Sequence, residues 1–298
     1  MKKIIFFGSE GYIGNHLVEF LKSKNYQISG YDVYEKSKSK ALHTYKKIDI
    51  SNIKDIENID FDVDYVYYFS GITGTNVSLD NFSQFIDVNE KGLLNLLTTI
   101  KNKKVFPKLV FPSTRLVYKG VKNIPLKEEA EKEFKTIYAL NKFHNENSLK
   151  MFKEYYNIPY TIFRICVPYG NTLSSNYSYG TIGFFLSQAK MNKAITLYGN
   201  GALKRTFTFV GDLCTQIVKA SELTISNGEV YNIAGETYSL LEAASIIAEK
   251  FNVKVAHIEW PPLALALESG DTIFDASKID AILDNTSNTS LTDWINNL

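Results

Sequence analysis

Gly8-Ser9-Glu10-Gly11-Tyr12-Ile13-Gly14 decides how this chain is read. Residues 2–7 before it are a short apolar, β-branched and aromatic run. After it comes a helical pattern with Ile13, Leu17, Phe20 and Leu21 on one face, then Gln27-Ile28-Ser29-Gly30-Tyr31 as a second strand ending at Asp32. Strand, turn, helix and strand within about 30 residues make one βαβ unit. Three spaced glycines are a weak signal alone. Between a strand and a helix they let the backbone approach a pyrophosphate, whose charge the helix N-terminus stabilises. Asp32, 18 residues after Gly14, stands where an acid accepts hydrogen bonds from the ribose hydroxyls of an adenosine. A tight turn beside a solvated aspartate is the competing reading. Asp32 repels a 2′-phosphate and so favours NAD; Lys36 and Lys38 pull the other way and keep NADP open.

The alternation continues outward from that unit. Strand-like runs fall at 64–69, 105–111, 160–166 and 229–233; helical patterns fall at 81–101, 136–156, 180–192, 211–224 and 239–251. Strands alternating with helices imply an α/β fold, a doubly wound parallel sheet covered on both faces. The loop 168–179, with its Pro, Gly, Asn and Ser, reads as a boundary. We therefore expect a Rossmann cofactor domain over residues 1–165 and a smaller C-terminal substrate lobe over 166–298, interleaved with the first.

The 298 residues carry a formal net charge of +1, with 45% hydrophobic and 22% charged residues. That balance gives no reason to expect nucleic acid or an acidic membrane surface as partner. No apolar run reaches the roughly 18 residues of a membrane helix. The apolar stretch near Met1 is too short for an export signal, and the two cysteines, Cys166 and Cys214, lie far apart; a reduced, cytoplasmic setting is expected. No metal site is expected. Of 33 basic residues only Arg115, Arg164 and Arg205 are arginine, so these positions are candidates for the planar donor fork that suits phosphate or carboxylate.

Tyr138 and Lys142 form Tyr-x-x-x-Lys. Residues i and i+4 share a helix face, so the ammonium can hold a nicotinamide ribose and lower the phenol's pKa for acid/base work on a carbinol or ketone. Spacing alone selects nothing here: about two such pairs arise by chance in so tyrosine- and lysine-rich a chain, and three exist. Tyr34/Lys38 follows a strand end and Tyr118/Lys122 runs into a turn; only Tyr138/Lys142 lies in a helical pattern. A hydroxyl at the end of the preceding strand would complete the set, and Val110-Phe111-Pro112-Ser113-Thr114-Arg115 supplies Ser113 and Thr114. There it can hydrogen-bond and orient the reacting oxygen.

Taken together these motifs resemble the extended short-chain dehydrogenases/reductases of the NAD-dependent epimerase/dehydratase family, which act on nucleotide sugars. The likeness covers nearly the whole chain. It rests on Gly8, Gly11 and Gly14, Asp32, Asp49-Ile50, Asn89, Thr114 four residues before Tyr118, and Tyr138 with Lys142. In the second lobe it rests on Tyr198-Gly199-Asn200-Gly201, on Arg205 through Leu213, and on Tyr231-Asn232-Ile233-Ala234-Gly235.

The resemblance implies that Gly8, Gly11, Tyr12, Ile13, Gly14, Asp32, Asp49, Ile50, Ser70 and Lys142 bind the cofactor, Asp49-Ile50 near its adenine. It implies Tyr138 as acid/base with Lys142 as helper, and Thr114 on the sugar oxygen that is oxidised or reduced. Ser113 would touch substrate, and Arg205 would grip the nucleotide diphosphate. Arg164, near a strand end, reads as structural, and Cys166 reads as a small core residue before it reads as a catalytic thiol.

Departures narrow the subtype. Family 4,6-dehydratases carry an Asp-Glu pair after the catalytic threonine, and decarboxylating members carry a Glu at the second of those positions. Arg115-Leu116 stand there in this chain, which argues against elimination and decarboxylation. Val167 replaces the usual Asn, so one diphosphate contact is lost or rerouted. Arg115 is a candidate for a carboxylate or other polar group near C5–C6 of the sugar. The leading expectation is a nucleotide-sugar 4-epimerase. An NAD(P)H-dependent 4-keto-(6-deoxy)hexose reductase would use the same three residues. A dinucleotide sensor without chemistry is the third reading, though such relatives lose the tyrosine or lysine. A homodimer through helices 81–101 and 136–156 is also expected, with the Leu93-Leu94 and Leu96-Leu97 pairs and Tyr155/Tyr156 as surplus apolar surface.

Overall fold

The computed structural model describes residues 1–74, 77–173, 179–284 and 289–298. It divides into two compact units, one of Met1–Val117, Thr136–Arg164 and Ile217–Tyr231, the other of Tyr118–Lys135, Ile165–Gln216 and Asn232–Leu298.

The first unit is built on a seven-stranded sheet: β1 (Lys3–Phe7), β2 (Gln27–Asp32), β3 (Thr44–Lys47), β4 (Tyr65–Tyr68), β5 (Lys108–Thr114), β6 (Tyr160–Ile165) and β7 (Glu229–Asn232), in the order β7-β6-β5-β4-β1-β2-β3. The pairs β1–β2, β1–β4, β2–β3 and β4–β5 run parallel. Every residue of β4 and β5 is buried, the mark of parallel strands covered on both faces. Strand order reverses between β1 and β4, and in open α/β sheets the crevice at that reversal is where ligands bind. The glycine turn follows β1 at that point.

Three helices matter to the site. The first, α1 (Tyr12–Ser23), buries Leu17, Val18 and Leu21 against the sheet, with Ile13 and Phe20 half-buried at the edge of that face. The pattern read over 81–101 is not one helix. It is a turn at Phe82–Phe85, a π-helical turn at Ile86–Lys91, and α2 (Gly92–Lys103). Leu93, Leu96, Leu97 and Ile100 of α2 are all buried in the core. The third, α3 (Ile137–Tyr156), starts at Thr136, whose Oγ1 accepts from the Ala139 amide. It stops at Asn157, whose φ of 61° is left-handed, a common helix end.

The second unit has a three-stranded sheet of Glu236–Ser239, Lys204–Phe209 and Val167–Tyr169, and a parallel pair of Ile195–Tyr198 with Val255–Ile258. Its core gathers Tyr169, Phe185, Ile195, Phe207 and Ile247 around helices Gly180–Lys190 and Leu240–Phe251. Ser239 and Glu242, three residues apart, form a reciprocal capping box on the latter. The expected boundary loop 168–179 opens as strand rather than loop, because Val167–Tyr169 pairs with Phe207–Phe209; residues 174–178 lie outside the described residues. Two excursions do not follow the division drawn at 165/166: Tyr118–Lys135 belongs to the second unit and Ile217–Tyr231 to the first. Local periodicity shows that 229–233 is a strand but carries no signal for which sheet it joins. Among the described residues no helix is long and apolar enough to cross a membrane.

Candidate active site

The glycine turn is sealed by its own backbone. A Cβ on Gly14 would lie 2.0 Å from Gly8 O, and one on Gly8 (φ +81°) would lie 2.5 Å from Phe69 C and from Ser70 N. Gly8 N donates to Tyr31 O at 2.8 Å and Gly11 N to Gly8 O at 3.2 Å, so the turn is tied to both β2 and itself. Around Gly11 the chain leaves room, its nearest neighbour to a built Cβ being Gly8 O at 3.4 Å. Gly11, the N-cap of α1, has no side chain to offer the helix start, and no acid sits in the first turn. A helix start leaves its first amides without intrahelical acceptors, and an anion is their natural partner. The cradle therefore fits the pyrophosphate of a dinucleotide.

Asp32 is fixed at the end of β2. Its Oδ2 accepts from Glu10 N at 2.9 Å and its Oδ1 from Val33 N at 2.7 Å. Burial raises its pKa, and those backbone bonds oppose the rise. The glycine turn and the acid are thus one rigid piece, suited to hold pyrophosphate and ribose together. Ser70 is half-buried directly against Gly8. Asp49 is less open to a ligand: its Oδ1 accepts from Ser51 N and Oγ. With Ser51, Asn81 and Phe82 it lines a cleft of about 470 Å³. The Ile50 side chain is in the core, so only its backbone is left to face a ligand.

The candidate reacting groups are carried by β5 and α3. Lys142 is fully buried and its Nζ donates to Pro112 O at 2.8 Å. The same Nζ lies 4.6 Å from the Phe111 ring centroid and 5.9 Å from that of Tyr138. Burial pulls its pKa down to about 8, and the Glu146 charge works against that fall. Two residues beyond that carbonyl, Thr114 is buried, and its Oγ1 accepts from Leu116 N at 3.3 Å, which leaves its own proton to donate. Tyr138 is half-buried on the first turn of α3. One helix and one strand end thus carry the phenol, ammonium and hydroxyl, with the ammonium tied to the strand.

Two residues stand elsewhere than the sequence expects. Ser113 is buried and its Oγ donates to Glu146 Oε1 at 2.5 Å, so its proton is committed inside the protein rather than offered to a substrate. Arg205, expected to grip a diphosphate, is 2% exposed. Its guanidinium pairs with Glu268 Oε1 at 2.5 Å and donates to Lys204 O and Gly270 O at 2.8 and 2.5 Å. Separation along the chain hid this: Glu268 is 63 residues away. Arg115 is half-buried in the single 3₁₀ turn Arg115–Val117 that follows Thr114. Cys166 Sγ donates to Thr272 O at 3.3 Å. Asn232, in the last quoted motif, is structural: buried, it accepts from Tyr118 Oη at 2.7 Å and donates to Leu126 O at 2.8 Å.

Sequence reasoning also missed partners. Asn89 sits in the π-helical turn, where Oδ1 accepts from Ile72 N at 2.9 Å and Nδ2 donates to Ile72 O at 3.1 Å. It thereby clamps the segment after β4, while its own carbonyl accepts from Asn145 of α3 at 2.7 Å. Glu146 is fully buried and held by Arg164 of β6, Nε to Oε1 at 2.9 Å and Nη2 to Oε2 at 2.6 Å. Its place four residues after Lys142 was the available signal.

The NAD dependent epimerase/dehydratase family model matches residues 4–234. The uncharacterized UDP-glucose epimerase YtcB of Bacillus subtilis is 27% identical, over 99% of this chain and 96% of its own. A UDP-N-acetyl-alpha-D-glucosaminuronate decarboxylase of Bacillus cytotoxicus is 27% identical, over 87% and 84%. Among solved structures, UDP-glucuronic acid 4-epimerase from Bacillus cereus, in complex with UDP-glucuronic acid and NAD, superposes with a TM-score of 0.84 at 25% identity, covering 98% of this chain and 96% of that one.

Proposed function

Because this chain belongs to the NAD dependent epimerase/dehydratase family, we propose that it is a nucleotide-sugar 4-epimerase whose sugar carries a carboxylate. NAD is its cofactor; when bound it supplies the acceptor for the C4 hydride and then the donor to the opposite face. The glycine turn and Asp32 hold the dinucleotide, and Lys142 holds the nicotinamide ribose. Tyr138 takes the proton of the C4 hydroxyl as hydride leaves, and gives it back after the keto sugar has rotated. Thr114 donates to the C4 oxygen and keeps it beside the phenol. The observation that carries the reading is the tie between Lys142 Nζ and Pro112 O, which couples the tyrosine's helix to the threonine's strand.

Arg115 supports the carboxylate. It follows Thr114 directly, and a guanidinium pairs with carboxylates in a bidentate fork. No acid stands at 115 or 116 to eliminate water. A 4-keto reductase remains the second reading, since the same three residues serve it. The discriminating experiment is proton NMR of UDP-, dTDP-, GDP- and CDP-hexoses and hexuronates with the purified protein. We expect NAD to copurify and a C4-epimer mixture to form without added reductant, with Arg115→Ala lowering kcat/KM at least about tenfold on the hexuronate alone. Turnover only with added NAD(P)H on a 4-keto sugar would establish the reductase instead, and an unchanged Arg115→Ala would remove the carboxylate.

We also propose a homodimer, supported by Leu140, Met151, Tyr155 and Tyr156, all exposed on α3. Three of the four leucines first expected to help, Leu93, Leu96 and Leu97, are instead buried in the unit's own core. Light scattering of the dilute protein should give twice 33.8 kDa; a monomer refutes the dimer.

A further inference from the structure

Pro112, Ser113 and Thr114 close β5, and α3 holds two of them by side chains one turn apart: Lys142 takes the carbonyl of Pro112, and Glu146 takes the hydroxyl of Ser113. Glu146 is held in turn by one edge of the Arg164 guanidinium, which donates Nε to Oε1 and Nη2 to Oε2. A carboxylate this deeply buried is costly unless paired and hydrogen-bonded, and here three donors converge on it. Its place, one helical turn from a buried ammonium, calls for more than a packing explanation: an isosteric apolar pair at 146 and 164 would fill the same space with less desolvation cost.

We propose that Glu146, anchored by Arg164, is the positioning residue of the reaction: it fixes the strand end that carries Thr114 through Ser113, and its charge keeps the Lys142 ammonium in place beside Tyr138. It touches neither substrate nor cofactor and acts through Ser113 and Lys142. This inference rests on the assignment of Tyr138 and Lys142 under the proposed function. On α3 itself the other titratable or charged groups are Tyr138, His144, Lys150, Lys153, Glu154, Tyr155 and Tyr156; the elements packed against it carry Asp80, Asp87, Glu90, Lys91, Lys101, Lys103, Lys108 and Arg115, and Arg164 of β6 bonds Glu146. Glu90 is engaged by Asn141 Nδ2 at 2.5 Å. Of all these, Glu146 is the one whose charge raises the affinity of Lys142 for its proton against burial.

The test is Glu146→Gln, which keeps an acceptor for Ser113 but removes the charge. Lys142 should then lose its proton at lower pH, so the alkaline limb of the kcat–pH profile moves down by about one unit, kcat above that limb falls about tenfold, and the KM for sugar stays within twofold. The 15Nζ resonance of Lys142, assigned through Lys142→Arg in 15N-lysine-labelled protein, should titrate with the same shift without any substrate. That readout separates this inference from the proposed function: silence on every sugar with a shifted Lys142 titration indicts the activity and not the positioning role. Removing one partner of a buried pair can unfold a protein, so the double variant Glu146→Gln/Arg164→Met, which removes both charges, is measured alongside. Glu146→Asp, which restores the charge, should return the limb toward its original pH. An unmoved Lys142 titration in whichever of the two charge-removing variants folds overturns the inference.

Discussion

Replacing Tyr138 with phenylalanine should lower kcat by about 10³-fold, the usual worth of a well-placed general acid/base, or ~4 kcal/mol of barrier. The substitution removes one oxygen and leaves the ring, so its position relative to Lys142 Nζ, 5.9 Å from the centroid, is undisturbed. NAD affinity and the KM for the sugar should hold within about twofold, because a loss of this kind falls on the transition state and not on the ground state. Steady-state kinetics and calorimetric titration with NAD check both halves. A loss of less than tenfold would mean that the phenol moves no proton, and the same machinery would then have to be sought on another side chain.

Gly14→Ala should produce the second large effect, on cofactor binding. The new methyl would lie 2.0 Å from Gly8 O and 3.1 Å from Gly8 C. Both are backbone atoms, and Gly8 is itself pinned to Tyr31 O and pressed against Phe69 and Ser70. The turn must open by about an ångström, since heavy atoms do not approach much within 3 Å. That overpacking costs about 1–3 kcal/mol of stability. It also turns the helix-start amides away from the pyrophosphate, and each charge-assisted hydrogen bond lost there is worth about 1.5–3 kcal/mol. We therefore expect NAD to bind about 10²-fold more weakly, with Tm reduced. Gly11→Ala is the control for mechanism: its methyl meets nothing closer than 3.4 Å, so Tm should hold while NAD affinity falls. Equal NAD affinity in Gly14→Ala and the parent protein would mean that the dinucleotide does not use this turn.

The two experiments probe features of different origin. The turn was legible from the first 32 residues. Three glycines, an apolar run before them, a helical stripe after them and Asp32 at the next strand end specify one short-range geometry, because every contact that shapes it is made within a βαβ unit. Tyr138 and Lys142 were legible only once the helix around them was, since their spacing alone recurs twice elsewhere in the chain.

What no local pattern could supply is the set of partners. Ser113 and Arg205 look available on the page because their acceptors, Glu146 and Glu268, lie 33 and 63 residues away. Leu93, Leu96 and Leu97 look like surplus surface because a helix inside an α/β layer and a helix in a dimer seam show similar stripes. The π-helical turn that seats Asn89 is likewise invisible to a 3.6-residue period. The sequence by itself determined the fold class, the glycine turn after β1 and the helical Tyr-Lys pair, each written in spacings of a few residues. Tertiary structure alone decided which polar side chains face inward, because burial and pairing of a charge depend on what distant strands bring against it.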